Sequence, residues 1–406
     1  MSDVFTPLRT AAFRRLITGR GFAELANGVA PVALAFAVLD VTGSLVDLGI
    51  VVGARSAAVV VLVLFGGMLA DRLPRSVILQ GTALTAAVTQ GLIAASVLGH
   101  FASLPLLVAL SVANGVTAAM SLPAAAALTP QTVAPELLTQ ANALARIGVN
   151  TGRFTGAAVG GLLVGSLGPG WAIAGNAVLF LLAASAYRTV RVAHAPRVAG
   201  KGVLGDLAEG WRSFTEHTWV WVVVLQFMIV NAVLAGGLFV LGPAIADQSI
   251  GRTAWGFVIA AEILGALVGG VLVAHWRPRR ALLIGVLAIL LEVLPLVTLA
   301  VLPSVVPLLV AMFLVGAATE VFVVAWDVSL QENIPAEKLA RVYSYDMLGS
   351  YIALPVGEVV AGPLGTRFGT GPTLVWGAVV LVVVTCAALC SRQVRTLTRR
   401  ENAPAD

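Results

Sequence analysis

The sequence predicts an all-α integral membrane protein with about twelve transmembrane helices in two six-helix bundles. Three observations carry this expectation. Hydrophobic residues make up 59% of the 406 positions, charged residues 11%, and mean hydropathy is +0.96, a composition foreign to soluble globular domains. Apolar runs of about 17–25 residues, the length that crosses a bilayer, recur along the whole chain. The polar turns between them alternate between strongly basic and almost uncharged.

In chain order, the runs place helices at about 14–39, 46–70, 76–98, 104–127, 138–165, 170–190, 219–246, 254–275, 281–302, 305–327, 342–365 and 371–391. The first run is full length, carries Arg20 and Glu24, and is not followed by a small-residue cleavage site, so it is expected to be retained. Arg9, Arg14, Arg15, Arg72, Arg75, Arg188, Arg191, Arg197, Lys201 and Arg212 fall on one side. Arg277, Arg279, Arg280, Lys338, Arg341, Arg392, Arg395, Arg399 and Arg400 join them, while the other side has only Arg252 and Arg367. Basic loops stay inside, so the expectation is a multi-pass protein of the cell membrane with both termini cytoplasmic.

The longest polar interval divides the chain. The expected organisation is a first bundle over 1–190, a cytoplasmic linker over 191–218, a second bundle over 219–391 and a tail over 392–406. Within the linker, Leu204, Leu207, Ala208, Trp211 and Phe214 recur at helical spacing between Asp206, Glu209, Arg212 and Glu216, the pattern of an amphipathic helix on the membrane surface or of a simple spacer. The halves also repeat. An offset of 201 superposes Gly156, Gly161, Gly168 and Gly170 on Gly357, Gly362, Gly369 and Gly371, and an offset of 204 places Gly66, Arg75 and Gly81 on Gly270, Arg279 and Gly285. Two parallel six-helix repeats would produce this.

Between the second and third runs stands Gly66-Gly-Met-Leu-Ala-Asp-Arg-Leu-Pro-Arg75. Here Gly67, Leu69, Ala70, Asp71, Arg72 and Arg75 resemble the loop after the second helix of the major facilitator superfamily. Pro74 and Ser76 depart from its glycine and second basic residue. The resemblance implies a cytoplasmic latch in which the Asp71 carboxylate faces a helix amino terminus, where unpaired N–H groups favour an anion. The second copy has Ala274 and His275 in place of Ala70 and Asp71 and lacks the acid. Thr42-Gly43-Ser44, Leu48-Gly49 and Arg341-Val342-Tyr343-Ser344 further resemble the macrolide-efflux and enterobactin-exporter branch. In helix five, Gly156-Ala-Ala-Val-Gly-Gly161 replaces that branch's Gly-Pro-Ala-Leu-Gly-Gly pattern.

Ionisable groups deep in a bilayer cost about 2.5–3.5 kcal/mol each on insertion scales, so they point inward. Arg20, Glu24 and Asn27 share a face of helix one, and Arg146, Asn150 and Arg153 share one of helix five. Arg55, Glu262, Glu292, Glu320, Asp327, Asp346 and Glu358 lie on helices two, eight, nine, ten, ten, eleven and eleven. In the resembled fold helices three, six, nine and twelve are outer scaffold, and helices three, six and twelve carry no deep charge here. A carboxyl carried between wet and dry surroundings changes its proton affinity, which makes Glu24, Glu262 and Glu320 the proton-coupling candidates. Arginine stays protonated, so Arg55 and Arg153 are cast as partners to an acid or to an anionic substrate group. Asn27, Asn114, Gln226, Asn231 and Trp326 are the other cavity candidates, with Phe22, Phe36, Phe227, Phe239 and Phe322 beside them. Asp71, Arg72, Arg75, Asp327, Arg341 and Asp346 are the candidates for a cytoplasmic gate. Static pairing is the competing account: Arg20 with Glu24 along one helix, and Asp327 and Asp346 with Arg341. Pro31, Pro123, Pro243 and Pro355 are expected to kink their helices.

Other chemistries find little here. There is no phosphate-binding Gly-rich loop ending in Lys-Ser/Thr and no nucleophile elbow. His100, His194, His217 and His275 are far apart, so neither metal nor cofactor is expected. Cys386 and Cys390 fall in one apolar run and make no disulfide framework. The basic residues are not interleaved with aromatics, which excludes nucleic acid as a partner. The expected function is proton-coupled export of a small hydrophobic or amphiphilic compound by a monomer working in the lipid bilayer. A nutrient importer or lysolipid flippase of the same fold, and a non-transporting membrane receptor or assembly partner, are the rivals.

Overall fold

The computed structural model describes residues 5–70, 74–190, 211–212, 214–275 and 278–398. Among them the long helices are α1 (Ala11–Thr42), α2 (Leu45–Ala70), α3 (Arg75–Leu98), α4 (Leu104–Leu128), α5 (Leu138–Leu167) and α6 (Pro169–Arg188). There follow α7 (Thr218–Gln248), α8 (Arg252–His275), α9 (Ala281–Val301), α10 (Val305–Asn333), α11 (Ala336–Tyr351, resuming as Leu354–Phe368) and α12 (Thr370–Cys390). Eleven candidate spans are long and apolar enough to cross a membrane. The remaining helix, α5, is as long, but its glycines, Asn150 and Arg153 make it less apolar. No strand occurs among the described residues.

The chain forms two compact units, Met1–Arg197 with Pro243–Ala260, and Val198–Gly242 with Ala261–Asp406. In the first, small residues set the helix spacing, as expected where lipid leaves no hydrophobic force between helices and close van der Waals contact has to supply it. A Cβ on Gly156 of α5 would stand 3.0 Å from Gly28 Cα of α1, and one on Gly160 would stand 3.1 Å from Val29 Cα. On α4, a Cβ at Gly115 would stand 3.0 Å from Ala58 Cβ of α2 and collide with the Arg55 carbonyl.

The second unit repeats this packing. Gly357 of α11 presses on Ala232 of α7, its Cβ position 2.7 Å from Ala232 Cα, and Gly316 of α10 presses on Glu262 of α8, 2.7 Å from its carbonyl carbon. Gly115 and Gly156 stand 201 residues before Gly316 and Gly357, and their contacts Arg55 and Leu25 stand 207 before Glu262 and Ala232. The offset visible in glycine spacing is therefore a repeat of helix contacts.

Proline acts unevenly. A proline lacks the N–H for the preceding turn, and its ring crowds the carbonyl four residues back. Ahead of Pro243, α7 widens into a π-helical turn at Ala235–Leu241. Ahead of Pro295, α9 tightens at Ile289–Glu292, and ahead of Pro355, α11 breaks at Ile352 and Ala353. At Pro31 and Pro123 the helix runs on without interruption. Of the expected linker helix, Leu204, Leu207 and Ala208 lie outside the described residues. Trp211 and Phe214 are helical and pack on Tyr345 of α11, with ring centroids 5.6 and 5.9 Å away.

Candidate functional site

In the first unit the deepest acid is engaged across a helix crossing. Gly152 lets α5 approach α1, its Cβ position only 3.0 Å from Glu24 Cβ, and Arg153 Nε then donates to Glu24 Oε2 at 2.8 Å. The Glu24 side chain is 12% exposed and that of Arg153 46%. This corrects the expected pairing of Arg20 with Glu24 along one helix. The glycine crossing brings a planar guanidinium from α5 within reach, and Arg20 Nε is left buried without a hydrogen-bond partner. Asn27, one turn on, is half-buried. Between α2 and α4, Arg55 Nε donates to Asn114 Oδ1 at 3.0 Å. Charge carries no hint of one further anchor: Asn176 of α6, fully buried, donates to the Ala26 carbonyl of α1 at 2.6 Å.

In the second unit Glu262, Glu292 and Glu320 lie on α8, α9 and α10. Glu262 lies where α8 crosses α10 at Gly316. Glu320 lies one turn further along α10, its Oε1 3.6 Å from the Cβ position of Gly270 on α8. Glu292, whose surroundings the sequence leaves open, is buried at 2% exposure. Thr319 Oγ1 donates to its Oε1 at 2.9 Å, while its Oε2 has no hydrogen-bond partner.

Asp327 accepts from the Tyr343 hydroxyl at 3.1 Å. Asp346 accepts from Trp326 Nε1 at 3.0 Å and from the Ser350 hydroxyl at 3.3 Å. Trp326 is buried, with Trp219 edge-on to it and Phe322 stacked on it, and Phe227 stacks in turn on Phe322. Asn231 donates to the Ser350 carbonyl at 2.9 Å. Gln226 is not a cavity residue here. It is 2% exposed and turned onto α12, donating to the Thr385 hydroxyl at 3.1 Å. Of the expected cytoplasmic gate, Asp71 and Arg72 lie outside the described residues, Arg75 opens α3, and Arg341 is half-buried on α11.

A cluster that the sequence reading left aside lies at the end of the first unit away from the termini. Arg252, the first residue of α8, donates through Nη1 and Nη2 to both oxygens of Asp40 at 2.8 and 2.6 Å. It also donates through Nε and Nη2 to Asp247 at 2.7 and 3.1 Å. Its guanidinium lies 5.1 Å over the ring of Phe36, which is wholly buried rather than lining a cavity. The available signal was that Arg252 breaks an otherwise nearly uncharged side.

Comparison with known proteins agrees with this architecture. A family model described as Major Facilitator Superfamily matches residues 16–358. The multidrug efflux pump Tap of Mycolicibacterium fortuitum is 26% identical over 412 residues, covering 96% of this chain and 97% of Tap. The enterobactin exporter EntS of Shigella boydii is 27% identical over 364 residues, covering 87% of this chain and 85% of EntS. Among solved structures, the nucleoside transporter NupG superposes with a TM-score of 0.74 at 14% identity, over 93% of this chain and 98% of NupG. An inward-facing, occupied bacterial homologue of the human lysosomal transporter Spinster gives 0.73 at 16%, over 98% of this chain and 100% of that one. At such identities the structural likeness shows the fold.

Proposed function

Because the chain belongs to the Major Facilitator Superfamily, and so is a multi-pass membrane transporter rather than an enzyme, we propose that it exports a small hydrophobic or amphiphilic compound in exchange for protons. The observation that carries this reading is Glu24 at mid-helix on α1, held by Arg153 across the α1–α5 crossing at 2.8 Å. A carboxylate whose counter-charge sits on a neighbouring helix can trade that partner for a proton when the cavity wets or dries. The arginine stays charged throughout. Glu262 and Glu320 on α8 and α10 are the second pair of candidates. Export is supported by the relatives, named as a multidrug efflux pump and an enterobactin exporter.

In this reading the substrate meets Asn27, Arg55, Asn114, Arg153, Asn231 and Trp326. Asp71, Arg72, Arg75, Asp327, Arg341 and Asp346 close the cytoplasmic side, both termini are cytoplasmic, and the monomer in the cell membrane is the working unit. The test is accumulation of hydrophobic fluorescent compounds in inverted vesicles under an imposed pH gradient. Wild type is compared with Glu24→Gln and Glu320→Gln. Gradient-driven accumulation abolished by either change supports the proposal. Accumulation indifferent to the gradient and to both substitutions refutes proton coupling.

A further inference from the structure

We propose that the turn after α12 and the start of α9 form a docking site for an anionic phospholipid, with its phosphate on Arg280, Arg392 and Arg395 and an acyl chain along the outer face of α12. The site is independent of what the protein transports and of its coupling ion. The turn Arg392–Thr396 follows directly on α12, and two contacts pin it to the second unit. Val394 is wholly buried. Gln393 Oε1 accepts the Trp219 N–H at 3.1 Å, one of the first N–H groups of α7, which have no partner within their own helix. In a helical turn, residues three apart share a face and a residue two further on lies opposite. With Val394 turned inward, Arg392 and Arg395 therefore face outward, and both are exposed.

Arg280 belongs to the same patch. Ala281 and Leu282, the first residues of α9, line a recess together with Leu397 and Thr398, which follow the turn, and the exposed Arg280 immediately precedes them. Arg153 and Arg252 each hold an acid, but none of these three arginines is ion-paired among the described residues. Guanidiniums pair readily with phosphate oxygens, and basic patches at the ends of membrane helices hold anionic headgroups. The neighbouring helix points to a lipid rather than a free anion. On α12, Val379, Val383, Cys386 and Cys390 are spaced by four, three and four residues and are all exposed, so they form one apolar stripe. The stripe ends two residues before Arg392, which puts the arginines at the depth where hydrocarbon gives way to headgroups. A free phosphate would meet the arginines alone, whereas an anionic phospholipid covers both arginines and stripe. Phosphatidylcholine brings a cation with its phosphate, which the arginines repel.

The test is titration of the full-length protein in detergent with phosphatidylglycerol or with phosphatidylcholine of the same chain length, bound lipid being counted by native mass spectrometry. The parent is expected to retain phosphatidylglycerol several-fold better than phosphatidylcholine. The double variant Arg392→Gln/Arg395→Gln and, separately, Arg280→Gln are expected to bring that retention down several-fold. Arg367→Gln, which removes an exposed charge from the last turn of α11 at the other end of α12, is expected to leave it unchanged. Inorganic phosphate in equal amount is expected not to displace the lipid. Tryptophan fluorescence on heating checks that each variant is folded, and Arg280→Gln decides the matter if the tail variant is not. Retention equal to the parent's in the folded variants overturns the proposal. So does an equal loss in Arg367→Gln, which would mark net charge rather than a site, and so does displacement by inorganic phosphate, which would mark an anion site without a lipid.

Discussion

Adding a single methyl group at Gly156 tests what holds the first unit together. In Gly156→Ala the new Cβ meets the Leu25 carbonyl of α1 and stands 3.0 Å from Gly28 Cα. Carbon atoms prefer about 3.5–4.0 Å, and neither neighbour can swing aside, since both are backbone. The helices must part by up to about 1 Å, and overpacking of this kind costs about 1–3 kcal/mol. Alanine returns about 1 kcal/mol of helix propensity, so the net loss is about 2 kcal/mol at the upper end. Gly148→Ala on the same helix is the matched control. Nothing lies within 4 Å of its Cβ position, so it gains the propensity term alone. Subtracting one variant from the other removes that term and leaves the crossing, worth about 3 kcal/mol at most. Thermal unfolding of the detergent-solubilised protein, followed by tryptophan fluorescence, should shift down for Gly156→Ala and slightly up for Gly148→Ala. Equal shifts in both would refute the idea that α1 and α5 are spaced by backbone contact. Because Arg153 reaches Glu24 only across this crossing, Gly156→Ala should also depress transport beyond what its stability loss explains.

Three further outcomes are expected. Thr385→Val should destabilise by about 1–3 kcal/mol in the same unfolding assay, because Gln226 Oε1 already lacks a partner and its amide would lose its donor contact too. Gln226→Leu, which removes the buried polar group itself, should be close to neutral in stability and in transport. Thr319→Val should cost a similar amount by leaving both Glu292 oxygens without a hydrogen bond, and Thr319→Ser should restore it. Glu262→Gln should lower gradient-driven transport at near-normal stability, since only the Glu262 backbone meets Gly316. Gly316→Ala should lower both, and the reverse pattern would mark Glu262 as a packing residue.

Helix number, order and approximate ends were legible because a bilayer imposes a length and a composition that twenty-residue runs display directly. The repeat was legible because backbone contact in lipid needs glycine at fixed places, and glycines at constant offset are visible as letters. Partners were not. Glu24 lies four residues from Arg20 and 129 from Arg153, yet the carboxylate bonds the distant arginine, which the close Gly152 crossing brings to it. Gln226 was assigned to the cavity on polarity alone, whereas helix rotation, which sequence fixes poorly in a uniformly apolar span, turns it onto α12. Arg252 was legible only as an exception to a charge rule.

The two halves share one backbone scheme and differ in the chemistry hung on it. Arg55 and Glu262 occupy equivalent places, each with its main chain against the glycine of the neighbouring helix, Gly115 and Gly316. Glu24 and Asn231 likewise stand 207 residues apart, one turning to Arg153 of α5 and the other to the Ser350 carbonyl of α11. Arg55 and Glu262 meet their glycines through the main chain, so substitution there leaves the helix spacing intact; Glu24 meets Gly152 only through Cβ, an atom every residue but glycine supplies. That separation explains how a repeated fold acquires an asymmetric charge distribution, basic in one half and acidic in the other, without losing the repeat. It also explains why short scaffold motifs identify the family so well and the substrate so poorly: the glycines that make the fold recognisable are not the residues that decide what it carries.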